Sequence, residues 1–133
     1  MSTSPNQSAL DIDLWPKTKF ETNMVTPTSI LRRQAALLGE KTQQLVTAEV
    51  FTTVGGDYAA HFFRLVVPAL DNYKYELFRI EHRADELYPL TGHFPNSTRR
   101  IEDQADFLDW LKEVFSAETT LKKIDSLMAQ AKG

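Results

Sequence analysis

Gly55-Gly56 stands between two runs in which apolar and polar residues alternate, and a glycine pair in that setting leaves the chain few choices. Two-residue hairpin turns need positive φ, which glycine accepts at no steric cost, so Val54-Gly55-Gly56-Asp57 predicts a hairpin. Asp71-Asn72, between the second run and a third, is a weaker signal of the same kind. With both read as two-residue turns, three rows line up: Val46, Leu65 and Phe78; Ala48, Phe63 and Ile80; Val50, His61 and His82. Two turns chosen independently give one apolar face, and a one-residue slip in either would invert it. The opposite face gathers Phe51, Phe62, Val66, Tyr75 and Leu77, threaded by Glu49, Arg64, Arg79 and Glu81. The third run, YKYELFRIEH at 73–82, is ambiguous, because both of its faces mix apolar groups with charges.

Helices flank these strands in the pattern. Thr28 or Ser29, just after Pro27, is expected to cap a helix. Its stripe is Leu31, Ala35, Leu38, Thr42 and Leu45, at the spacing of a one-sided amphipathic helix. After the strands, ELYPLTGHFP predicts a short fourth strand, with Pro89 marking a sheet edge because proline cannot donate to a ladder. Ser97 or Thr98 then caps a helix carrying Ile101, Ala105, Leu108, Leu111 and Phe115, extended by Phe107, Trp110 and Val114. A last helix from Ser116 turns Leu121, Ile124, Leu127 and Met128 inward. The expected fold is α+β: an N-terminal helix, a three- to four-stranded antiparallel meander, and two C-terminal helices packed on one sheet face. Residues 27–133 form that single domain.

Residues 1–10 are polar and include Pro5, and disorder is expected there. Residues 11–26 form an extended arm whose Leu14, Trp15 and Phe20 are too large and apolar to stay free in water. The arm is expected to lie on the second sheet face or on a partner. The first strand, VTAEVFTTV, is a sheet edge with one charge and no proline to guard it, and such edges invite pairing. A homodimer through that strand or through the arm is the consequence.

Composition narrows the function. A net charge of −3, with no run of five or more like charges, lacks the basic footprint of a nucleic-acid binder. No stretch approaches the ~20 apolar residues that span a bilayer, so no membrane is expected as a partner. The first ten residues have neither the basic start nor the apolar core of a secretory signal, and a cytoplasmic location follows as the expectation. The chain has no cysteine, hence no thiol nucleophile and no thiolate metal site. Its five glycines, at 39, 55, 56, 92 and 133, cannot build a dinucleotide fingerprint or a phosphate-binding loop. No cofactor is expected.

Two chemistries stay open. The predicted register sets His61 across from His82, so the two imidazoles could begin a metal site, with His93 or Asp57 as a third group. The plainer account is that two polar-tipped rings close the end of an apolar face. On the other face, Glu49, Phe51, Phe62, Arg64, Tyr75, Arg79 and Glu81 combine aromatics with arginine and mixed charge, the composition that protein interfaces favour at their centres. Small size, acidic balance and α+β layout resemble those of small secretion chaperones and immunity-type proteins. The expected function is therefore non-enzymatic: a cytoplasmic interaction or regulatory protein, of adaptor, chaperone-like or immunity type. The alternative is a small-ligand or metal-dependent enzyme with its site near His61 and His82.

Overall fold

A computed structural model describes residues 5–133. In chain order the elements are α1 (Pro5–Asp11), α2 (Pro27–Lys41), β1 (Thr47–Gly55), β2 (Tyr58–Val67), a 3-10 turn (Pro68–Leu70), β3 (Tyr73–Arg83), β4 (Leu90–His93), β5 (Thr98–Ile101), α3 (Gln104–Ser116) and α4 (Glu118–Lys132). The strands form one antiparallel sheet in sequence order, β1 to β5. The fold class is α+β, with helices on one sheet face and five strands where three or four were expected.

The helix signals were right in kind and off by a few residues. Thr26, not Thr28 or Ser29, caps α2: its Oγ1 accepts from the Ser29 amide at 3.1 Å, and Pro27 occupies the first turn, where a missing N–H costs nothing. Leu31, Ala35 and Thr42 are buried as the stripe predicted. The helix stops at Lys41 because Thr42 Oγ1 accepts from the Val46 amide at 3.2 Å, and Gln43 and Gln44 then take left-handed conformations. The largest difference lies at 98–101, expected as a helix start and found as β5. Asp103 is the true cap of α3, accepting from the Asp106 amide at 2.9 Å. Arg99, on the helix side of β5, reaches Asp106 at 2.7 Å and Glu113 at 3.3 Å and ties the strand to α3. In α3 the buried stripe is Phe107, Trp110, Leu111 and Val114, whereas Leu108 is exposed. Ser116 does not cap α4; its hydroxyl bonds back to the Lys112 carbonyl. In α4, Leu127 points inward as expected, but Leu121 is 54% exposed.

The register decides which side chains share a face. Gly55 pairs with Tyr58, so the first turn is Gly56-Asp57, with Gly56 at φ 59. Every β1 partner therefore moves by two residues from the predicted one, which leaves the faces unchanged. The second turn is longer than two residues: after Pro68–Leu70, both Asp71 and Asn72 adopt positive φ. Phe63 pairs with Phe78, again two residues from expectation. Yet the next residue, Arg64, pairs with Glu76, leaving Leu77 as the extra residue of a β-bulge.

That bulge resolves the ambiguous third run. On its near side Phe78 and Ile80 face the helices; beyond it Tyr75, opposite Leu65, faces them too. The outer side of β3 then reads Lys74, Glu76, Arg79, Glu81 and Arg83, with no apolar residue in it. Tyr75 and Leu77, expected on the outer face, belong to the helix side. Leu77 is buried and joins the core, and Lys123 Nζ of α4 lies 4.7 Å from the Tyr75 ring centre.

The core sits between the sheet and the helices. Phe78 is stacked on Phe63 at 4.9 Å and meets Trp110 edge-on at 5.2 Å, so it joins β2, β3 and α3. Gly92 in β4 lets α3 come this close: a Cβ there would fall 2.7 Å from a Trp110 ring carbon.

Candidate functional site

No described helix packs on the outer sheet face. Six of the seven residues singled out for partner binding lie on it together: Glu49, Phe51, Phe62, Arg64, Arg79 and Glu81. Tyr75 is the exception, turned inward by the bulge. Arg64 and Arg79 were expected to oppose each other; instead Arg64 faces Glu49 on one side and Glu76 on the other, while Arg79 faces Phe62. Like-charge opposition, which would have been destabilising, is thereby removed.

Its geometry is that of an arginine laid on an aromatic bed. The Arg64 guanidinium carbon is 4.3 Å from the Phe51 ring centre and 5.7 Å from that of Phe62, and the two rings are 6.2 Å apart. Glu49 Oε1 holds Lys74 Nζ at 3.0 Å and stands 3.9 Å from Arg64 Nη1. Toward β4 the Glu81 carboxylate has one oxygen 3.1 Å from Arg79 Nε, as an ion pair without hydrogen-bond geometry, and the other 3.6 Å from His93 Nε2. At the opposite end Arg83 lies 5.8 Å from the Tyr58 ring centre. The face grades from aromatic on β1 and β2 to charged on β3. Lys74, Tyr58 and Arg83 escaped the sequence reading; simple alternation places Tyr58 and Arg83 there, and the adjacent Leu77-Phe78 pair was the signal for Lys74.

The histidines form a separate arrangement on the helix side. His61 pairs with Ile80 and His82 with Ala59, so the two stand diagonally rather than directly opposed. Their rings are nonetheless stacked at 5.0 Å, with the Nε2 atoms 2.8 Å apart. Both the Arg83 and Glu86 carbonyls lie 2.7 Å from His82 Nδ1, and carbonyls only accept, so that nitrogen carries a proton. In the neutral pair His82 Nε2 then accepts from His61 Nε2–H, and His61 Nδ1 accepts from the Thr52 hydroxyl at 2.8 Å. Burial, the adjacent His82 and Arg32 of α2, in that order, lower the His61 pKa to about 4. Each Nε2 is already used by the other ring, and His93 sits on the opposite sheet face with Glu81. Among the described residues no three His, Asp or Glu side chains are placed to hold a metal ion. His61 is 6% exposed, which leaves a substrate little access to it.

A third feature is the arm. Leu14, Trp15 and Phe20 are 86%, 71% and 78% exposed, and apart from an edge-on contact between Trp15 and Phe20 they touch little. Phe51 on the outer sheet face is itself 44% exposed, so the described part of the arm does not cover it. Residues 1–4 of the segment expected to be disordered lie outside the described residues, and Pro5–Asp11 is helical. No described helix is long and apolar enough to cross a membrane. Comparison with models of protein families, with curated proteins and with solved structures finds no match for this chain.

Proposed function

We propose that this is a non-enzymatic interaction or regulatory protein, of adaptor, chaperone-like or immunity type and cytoplasmic, that binds a protein partner through its outer sheet face. The observation that carries this reading is Arg64 lying on Phe51 and Phe62 on a face where Phe51 stays 44% exposed among the described residues. Exposed ion pairs contribute only about 0–1 kcal/mol each, and an exposed cation–π contact about 0.5–1 kcal/mol, so the fold has little use for the cluster. Recognition has more. Desolvated by a partner, the same arginine supplies direction as well as contact area, and aromatics with arginine are the usual anchors of interfaces. The unguarded edge of β1 and the exposed arm also favour a homodimer, in which the two outer faces remain available.

Capture from cells of the native source, using the tagged full chain, tests this reading. A protein held by the wild type is expected to be lost with Arg64→Glu and with Arg79→Glu, and retained with Lys122→Glu, a reversal on exposed α4. Both outer-face variants are expected to melt within a few degrees of the wild type. A captured set indifferent to both reversals counts against this face as the binding surface.

A further inference from the structure

The helix layer does not close. Between α2 and α4 a cleft of about 230 Å³ reaches down to the sheet, with Phe63, Leu65 and Leu77 at its floor and Leu38 and Ile124 in its walls. Past Phe115 and Leu121 it runs on into a shallower trough of about 630 Å³ along Leu108 and Leu111 of α3. Lys41 lines the cleft and Lys112 the trough. Leu121 and Leu108, both expected to face the core, are 54% and 40% exposed in its wall.

The same chain carries a matching segment. Residues 10–15 read Leu-Asp-Ile-Asp-Leu-Trp, with Leu10, Ile12, Leu14 and Trp15 all between 58% and 86% exposed. One molecule thus has an apolar groove flanked by lysines and an apolar segment punctuated by Asp11 and Asp13. The outer sheet face offers that segment no comparable apolar trough, since the outer side of β3 is charged throughout.

Chain direction separates self-docking from exchange. The arm runs without a turn or bend from Lys19 to Thr26 into the start of α2, and the groove lies beside the later half of that helix, from Gln34 to Lys41. Docking in its own groove would need the arm to double back along α2, whereas the run from Lys19 to Thr26 is extended. Reaching another molecule's groove requires no such reversal.

We infer that the protein forms a two-fold dimer by arm exchange, residues 10–15 of each copy filling the α2/α4 groove of the other. The exchange is isologous, so it closes at two copies and does not propagate. It uses a surface distinct from the outer sheet face and stands or falls independently of it.

Sedimentation of the full chain, with a covalent trap, tests the exchange. The wild type is expected at the mass of two chains, and Trp15→Ala in the arm and Leu121→Lys in the groove are each expected to weaken the dimer by on the order of tenfold or more. Both positions are exposed, so both variants are expected to fold, as circular dichroism will show. Because the chain has no cysteine, Leu14→Cys combined with Leu121→Cys reports its own bond. Oxidation is expected to give a covalent dimer. A single-chain mass for the wild type, an internal bond in the double variant, or a dimer indifferent to both substitutions overturns the exchange; the last outcome would assign the dimer to the β1 edge.

Discussion

Phe78→Ala is expected to lower the unfolding free energy by about 3–5 kcal/mol, the usual range for truncating a fully buried phenylalanine. Phe78 is 2% exposed, and its ring is held by Phe63, Trp110 and Phe115, so no single neighbour can move in to fill the space. A domain of this size has a total stability of roughly 5–15 kcal/mol, so the variant sits near the edge of folding. The informative control is Phe62, one residue from Phe63 in sequence and on the other side of the sheet. Phe62→Ala is expected to cost about 1 kcal/mol, because only part of its ring is covered. Urea unfolding at neutral pH measures both. Equal losses would mean that the outer face is packed against something, and the assignment of faces would fail.

The second large effect is a dependence on pH. The His61 pKa is about 4 in the folded chain against about 6.5 when unfolded, so between those values the unfolded state binds more protons. Stability therefore rises with pH across this window, is full above about 6.5, and is lost as pH falls toward 4. Over the whole window the loss is about 3 kcal/mol, at 1.36 kcal/mol for each unit of the shift. The groups facing His61 are Thr52 from β1, His82 from β3 and Arg32 from α2, and none of them is a carboxylate that could stabilise the cation. Urea unfolding at pH 7 and pH 4.5 is expected to show about 2–3 kcal/mol more loss in the wild type than in His61→Gln. The same loss in both would place the titration elsewhere.

The face assignment survived in the sequence because both turn errors were even. Moving a partner by two residues keeps each side chain on its face, and so Phe63, Phe78 and Ile80 were placed in the core although their predicted partners were wrong. Tyr75 was lost to the one odd step, at Leu77, where a single extra residue inverts everything beyond it. Two adjacent apolar residues within a strict alternation carry that information, but only when a bulge is considered. Thr98-Arg99-Arg100-Ile101 misled for another reason. Ile101 fits the helical period of α3, and nothing local shows that Arg99 is drawn toward Asp106 and Glu113 as a strand residue. The histidine contact was legible as proximity, while its hydrogen bonds depend on the carbonyls of Arg83 and Glu86 after the strand. Where the arm lies was not legible, since an irregular segment has no period to assign a face. The open groove was hidden because Leu121 and Leu108 fit the buried stripes of their helices and only tertiary spacing leaves them uncovered.

A nitroxide on Thr18→Cys, the chain's sole thiol, tests directly whether the outer sheet face stands free while the arm goes elsewhere, through paramagnetic broadening of amide resonances. The amides of Phe51, Phe62 and Arg64 are expected to keep their intensity, with broadening confined to residues bordering the α2/α4 groove, such as Leu108 and Leu121. Broadening of Phe51, Phe62 and Arg64 would place the arm over the sheet and contradict the account, making that face part of the fold and not a surface kept for a partner.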